Sequence, residues 1–178
     1  WLRKKRIGQL VSAHLVHGEY LLNFHPYEDY KISYASRKEL GGGVTLTQIH
    51  EFDYALWLFG KPRRIFAVGG KVSGLDIDVE DTASVLMECQ HQEKVLPVSL
   101  CLDYMQSPAH RSCTIVGEKG RIFLDFYDTK SASLENKSTG KTETHSFEDL
   151  ELNQMFLDEL NHFLAAVKGE ESPLVDLQ

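Results

Sequence analysis

Apolar and polar positions alternate along most of this chain, and two stretches with a helical period interrupt the alternation. Residues 7–22 alternate loosely, with Val11, Ala13 and Leu15 on one side and His14, His17 and Glu19 partly on the other, which predicts a long strand. Residues 23–40, beginning Asn23-Phe24-His25-Pro26-Tyr27, show no period and predict a long loop whose aromatic content argues against disorder. Gly41-Gly42-Gly43 then opens a helix predicted over 44–59, with Ile49, Phe52, Leu56 and Phe59 on one face and Gly60 and Pro62 as stops. A strand follows over 63–72. Three hairpins come next: 82–90 with 94–105, 110–116 with 121–127 around Gly117-Glu118-Lys119-Gly120, and 131–137 with 141–147 around Ser138-Thr139-Gly140. The final stretch, about 150–168, returns to a helical period, with Leu152, Phe156, Leu160, Phe163, Leu164 and Val167 in one stripe and Gly169 as the stop.

Consecutive strands joined by short turns make an antiparallel sheet, so the expected class is α+β: a large, predominantly antiparallel open sheet with helices on one face. Two helices cover only one face of such a sheet. The 94–105 strand nevertheless carries Val95, Leu96, Val98, Leu100, Cys101 and Leu102, apolar on both sides of its pleat. Its far side calls for a cover, either another subunit paired through the sheets or further chain. The subunit reading implies a homodimer or homotetramer through the open face.

Composition narrows the class without changing the fold. The 178 residues suffice for one domain with a sizeable core, and 42% apolar with 25% charged residues is ordinary for a globular protein. No run reaches the roughly eighteen apolar residues of a membrane span, and the basic start, Arg3-Lys4-Lys5-Arg6, precedes no apolar signal-peptide core. That cluster reads as the end of a truncated helix, and the chain, which opens on Trp1 and stops at Gln178, reads as a fragment. Cys89, Cys101 and Cys113 are odd in number and form no CxxC pair, which fits a reducing, cytoplasmic setting. A net charge of −7 argues against a nucleic-acid partner, which needs a basic face to neutralise phosphates.

Candidate chemistry concentrates in two places. On the 44–59 helix a rotation of about 100° per residue stacks Thr47, His50 and Tyr54 in one sector, with Asp53 able to reach His50 from three residues away. An imidazole near neutral pKa can accept an alcohol proton, with an adjacent carboxylate to orient it. A plain surface His–Asp pair has the same spacing. The 24–38 loop holds His25, Tyr27, Asp29, Tyr30, Tyr34, Arg37 and Lys38, and aromatic platforms with polar tips suit sugar rings as well as they suit packing over a core. Gly41-Gly42-Gly43 is not a GxGxxG turn and no βαβ unit surrounds it, so no dinucleotide site is expected in this chain. No metal motif occurs either.

The run Gly41-Gly42-Gly43-Val44-Thr45-Leu46-Thr47-Gln48-Ile49-His50-Glu51-Phe52-Asp53, continuing to Gly60, resembles the helix of the glucose–fructose oxidoreductase / inositol dehydrogenase / MocA family, in which glycines precede His-x-x-Asp. His25-Pro26-Tyr27-Glu28-Asp29-Tyr30, Val79-Glu80-Asp81-Thr82-Ala83 and Ile115-Val116-Gly117-Glu118-Lys119-Gly120 resemble further family segments in the same order. The resemblance implies a C-terminal domain for substrate contact and oligomerisation, and an N-terminal domain, absent from this chain, that binds NAD or NADP. It implies hydride transfer at a carbinol carbon of a sugar, sugar derivative or polyol, with His50 as the catalytic residue. His25, Tyr27, Tyr30, Lys38, Thr47, Asp53 and Tyr54 are then candidate substrate contacts. Many members carry an Asp four residues before the histidine; here that neighbourhood holds Thr47 and Gln48, and the glycines stand one residue closer to His50. The alternative reading is a non-catalytic binding or scaffolding domain of the same fold.

Overall fold

The computed structural model describes residues 1–91 and 93–174. The chain forms two compact units, Trp1–Ser146 and Phe147–Gln178. The first unit is built on eight strands: β1 (Leu10–Gly18), β2 (Pro62–Gly70), β3 (Thr82–His91), β4 (Lys94–Asp103), β5 (His110–Gly117), β6 (Gly120–Asp125), β7 (Ser131–Asn136) and β8 (Thr142–Ser146). Helices α1 (Val44–Thr47) and α2 (His50–Phe59) belong to the same unit. The second unit contains α3 (Leu152–Lys168), closed by Gly169 in the left-handed conformation. The expected α+β class and antiparallel hairpins stand. Among the described residues no helix is long and apolar enough to cross a membrane.

The sheet runs β2-β3-β4-β1-β5-β6-β7-β8. Two meanders, β2-β3-β4 and β5-β6-β7-β8, flank β1. The first strand in sequence is therefore central, and its pairing with β4 is the one parallel pairing in the sheet. Centrality suits β1 because its inward residues Ala13 and Leu15 are buried completely, in register with Val98 and Leu100 of β4 and with Ile115 and Cys113 of β5. The core lies between this face and α2, where Met87, Leu96, Val98, Leu100 and Ile115 meet Ala55 and Phe59. Burying Leu100 alone contributes about 2 kcal/mol relative to exposure.

The other face of the sheet is open. Strand β4 turns Leu96, Val98, Leu100 and Leu102 inward but leaves Val95 and Cys101 exposed. Phe66 and Leu86, cross-strand partners on the open side, are 67% and 50% exposed.

The segment expected as a loop over 23–40 is organised into successive 3-10 turns, Leu21–Asn23, Tyr30–Ile32, Tyr34–Ser36 and Lys38–Leu40. Short polar side chains hold it. Asp29 accepts the Lys31 amide at 3.1 Å, and Asp78 accepts the Lys38 amide at 2.8 Å. The segment ends at a close approach: a Cβ on Gly43, whose φ is +111°, would lie 2.5 Å from the Glu80 carboxylate that accepts the Thr45 amide. Glu80 thereby does for α1 what an N-cap side chain does. Gly43→Ala is expected to cost roughly 1–3 kcal/mol, from backbone strain and displacement of Glu80, read as a drop in the thermal midpoint. An unchanged midpoint would show that this cap carries no weight.

The helix expected over 44–59 is broken. Gln48 leaves helical geometry, and its side chain turns inward, with Nε2 donating to the Asp103 carbonyl at 3.3 Å. As a consequence Ile49 and Leu56, expected on the packed face, are 43% and 41% exposed, whereas Glu51, Ala55 and Phe59 face the sheet. Glu51 thus turns a charge toward the sheet, where Arg111 matches it.

Candidate functional site

Helix α2 starts at the end of the sheet where β1 and β4 finish and β5 begins. Its N-terminus has no side-chain cap. A carboxylate tether takes the cap's place. Glu51 is fully buried and receives a fork from Arg111 of β5, Nε to Oε1 at 2.6 Å and Nη2 to Oε2 at 2.9 Å. His17 of β1, the cross-strand partner of Arg111, sets its Nδ1 3.1 Å from the same Oε1. That contact is one of proximity, with no aligned hydrogen bond from the ring to the oxygen. The cluster continues outward: the Tyr127 hydroxyl lies 3.3 Å from His17 Nε2 and 3.3 Å from Glu19 Oε2. Arg111 also stacks over Phe126, 4.8 Å from the ring centre.

The electrostatics follow from this packing. Burial works to raise the Glu51 carboxyl, but the His17 imidazole and the Arg111 guanidinium beside it outweigh burial and hold it below the usual carboxylate range. Burial, with Glu19 nearby, pushes the Tyr127 phenol up to about 12, so at neutral pH it is a hydroxyl able to donate. Burial likewise pushes the Cys113 thiol up to about 12. Glu51 is thus a paired, buried carboxylate rather than a free one.

His50 precedes Glu51 by one residue, so its side chain is turned about 100° from the sheet-facing direction, and it stands exposed. Asp53 is also exposed, and neither side chain joins a hydrogen bond or ion pair among the described residues. The break at Gln48 divides the expected sector: Thr47 ends α1, while His50 and Tyr54 stay four residues apart on α2. Thr47 is held by the Tyr104 hydroxyl, which donates to it at 2.7 Å. Tyr54 turns toward Phe126, rings 6.1 Å apart, into an apolar hollow of about 750 Å³ lined by Trp57, Cys113, Ile115 and Leu124. Its hydroxyl is buried without a hydrogen-bond partner among the described residues.

The loop candidates divide similarly. His25 and Tyr27 come together, Nδ1 to hydroxyl at 3.0 Å, with Tyr27 80% exposed. Lys38 is exposed as well. Tyr30 is half-buried, and its hydroxyl accepts the Asp76 amide at 3.3 Å. Among the described residues no three His, Cys, Asp or Glu side chains group as a metal site would require.

The tether residues Glu51, His17 and Arg111 were not singled out from sequence, yet each leaves a trace. Glu51 falls on the same helical face as Ala55 and Phe59. His17 shares inward parity with Ala13 and Leu15, contrary to its expected outward placing, and Arg111 shares it with Cys113 and Ile115. A titratable residue at a core-facing position on three neighbouring elements is the legible signal.

A family model described as "GFO/IDH/MocA C-terminal domain" matches residues 1–123. Among solved structures, an aldose-aldose oxidoreductase from Caulobacter crescentus complexed with glycerol is 18% identical, with a TM-score of 0.75 over 98% of this chain and 50% of its own. The WlbA dehydrogenase from Bordetella pertussis, in complex with NADH and UDP-GlcNAcA, is 17% identical, with a TM-score of 0.68 over 98% of this chain and 50% of its own. An oxidoreductase from Agrobacterium radiobacter, in complex with NAD+, L-tartaric acid and magnesium, is 14% identical, with a TM-score of 0.70 over 97% of this chain and 51% of its own. The chain thus spans about half the length of the solved structures it matches. None of the curated proteins matches.

Proposed function

We propose that this chain, which belongs to the GFO/IDH/MocA family through its C-terminal domain, supplies the substrate-binding half of an NAD(P)-dependent oxidoreductase acting on a sugar, sugar derivative or polyol. The observation that carries the reading is that the family match over 1–123 contains the glycine-to-histidine run, and that His50 in that run stands exposed beside a rigid tether. The nicotinamide, when bound, supplies the hydride chemistry. This chain's own residues do not fit a dinucleotide: its one parallel strand pair has no glycine-rich βα turn between its members, and Gly41–Gly43 leads into a four-residue helix. The cofactor therefore belongs to an N-terminal dinucleotide-binding domain in this reading, and the 178 residues alone are inactive.

Within this half, His50 accepts the proton of the substrate hydroxyl as the carbinol carbon is oxidised. Tyr27, Lys38 and Asp53, which are exposed, and the half-buried His25 beside Tyr27 are the substrate contacts. Thr47, Tyr30 and Tyr54 serve by holding the elements that carry them. Free cysteines fit the cytoplasm. The exposed apolar residues of the open face, Phe66, Val68, Leu86 and Val95, fit a second copy of the chain. Among the described residues His50 has no acidic partner, which favours a scaffolding domain as the rival reading.

Incubating the full-length protein with NAD+ or NADP+ and a panel of sugars and polyols decides between them. Reduced nicotinamide is expected to accumulate with at least one member. Saturable sugar binding with no reduction across the panel would favour the scaffold.

A further inference from the structure

We infer that Glu51 is a positioning residue for His50: locked between Arg111 and His17, it fixes the rotation of the first turn of α2 and so the direction in which the neighbouring imidazole points. The inference rests on the proposed role of His50 and extends it to a residue that never touches substrate. Three observations carry it. The N-terminus of α2 follows a break in the helix and has no side-chain cap, so the rotation of its first turn is not inherited from α1. Glu51 is fully buried, and its two carboxylate oxygens are both engaged by Arg111. A bidentate fork fixes the plane and azimuth of the carboxylate, which a single point contact does not. The anchors themselves come from two adjacent central strands, β1 and β5, and both are braced, Arg111 by Phe126 and His17 by Tyr127.

The lever is short. His50 and Glu51 are consecutive, so a rotation of α2 that swings Glu51 away from Arg111 swings the imidazole through the same angle. Displacements of about an ångström at a proton-transferring group cost up to a hundredfold in rate. Glu51 also lies in the first helical turn, where a carboxylate suits the positive end of the helix dipole.

The test is a double-mutant cycle in the full-length protein, with turnover, KM and the thermal midpoint measured for each member. Glu51→Gln keeps the shape of the side chain but puts an amide in place of one fork-accepting oxygen. It is expected to lower kcat by on the order of tenfold to a hundredfold while KM changes less. In the His50→Ala background the same change is expected to lower turnover no further, because the group it positions is gone. The midpoint falls in both backgrounds, so stability and positioning are read separately. Equal loss of kcat in the two backgrounds would overturn the inference and leave Glu51 a stability residue only. A His50→Ala enzyme as fast as wild type would overturn the proposed role of His50 and this one with it. If Glu51→Gln fails to fold, Arg111→Lys takes its place. It retains the charge, loses the fork, and is judged by the same absence of further loss without His50.

Discussion

Replacing Arg111 with alanine is expected to destabilise the chain by about 3 kcal/mol near neutral pH, a fall of roughly 6–12 °C in the thermal midpoint for a chain of this size. The reason is what stays behind. Glu51 remains fully buried, and the fork at 2.6 and 2.9 Å that balanced its charge is gone. His17 alone cannot replace it, because its Nδ1, though 3.1 Å away, is not aligned on the carboxylate. Removing one member of a buried pair costs about 3–5 kcal/mol. The lower end applies because the Arg111 side chain is 21% exposed and water reaches that end of the cluster.

The effect carries a pH test with a definite sign. In the wild type the Glu51 carboxyl is held below its ordinary range: burial raises it, and His17 and Arg111 lower it by more. A depressed carboxyl adds stability above its unfolded value, roughly 4.3, and that stability is lost as pH falls through the folded value. Without Arg111 the burial is uncompensated, the shift reverses, and acidification no longer removes stability at this residue. The gap between wild type and Arg111→Ala should therefore narrow from pH 7 toward pH 4. Asp81 and Asp125, whose backbone and hydroxyl hydrogen bonds outweigh burial and hold their carboxyls low, are common to both proteins and cancel in the difference. Thermal unfolding followed by circular dichroism at the two pH values settles it. A gap under 1 kcal/mol, or one that widens in acid, would show that the fork does not hold this end of α2.

Local information made most of the fold legible. Alternation and turn residues located all three hairpins, and the observed strands Thr82–His91, Lys94–Asp103 and His110–Gly117 lie within about two residues of expectation. Period 3.6 likewise found α3. What alternation does not encode is which strand stands beside which. The insertion of β1 between β4 and β5 depends on pairings between residues as far apart as Ala13 and Ile115, and no short-range signal carries them. The break at Gln48 was hidden for a related reason. The apolar residues of 44–59 fit one continuous helix, and nothing local says that Glu51, paired with Arg111 of a distant strand, faces the sheet while Ile49 and Leu56 do not. The site was half legible. His50 could be found from its motif, but the residues that fix it could be found only by reading a charge at a core-facing position as meaningful rather than as noise in the period.

That division predicts opposite signatures for the two kinds of residue. His50→Ala, in the full-length protein, is expected to lower turnover by about a hundredfold or more, as removal of a general base does. It should leave the thermal midpoint nearly unchanged, because exposed substitutions outside tethers and caps stay within about 0.5 kcal/mol. The imidazole is exposed and joins no hydrogen bond or ion pair among the described residues, so nothing in the fold is lost with it. The loss should appear in kcat more than in KM, because in the proposed role the histidine takes the proton that leaves during the reaction and the loop side chains bind the substrate. Arg111→Ala, by contrast, should shift the midpoint by several degrees. A His50→Ala protein that turns over at the wild-type rate would end the enzymatic role of this half. One that loses several degrees of stability instead would make the histidine part of the scaffold.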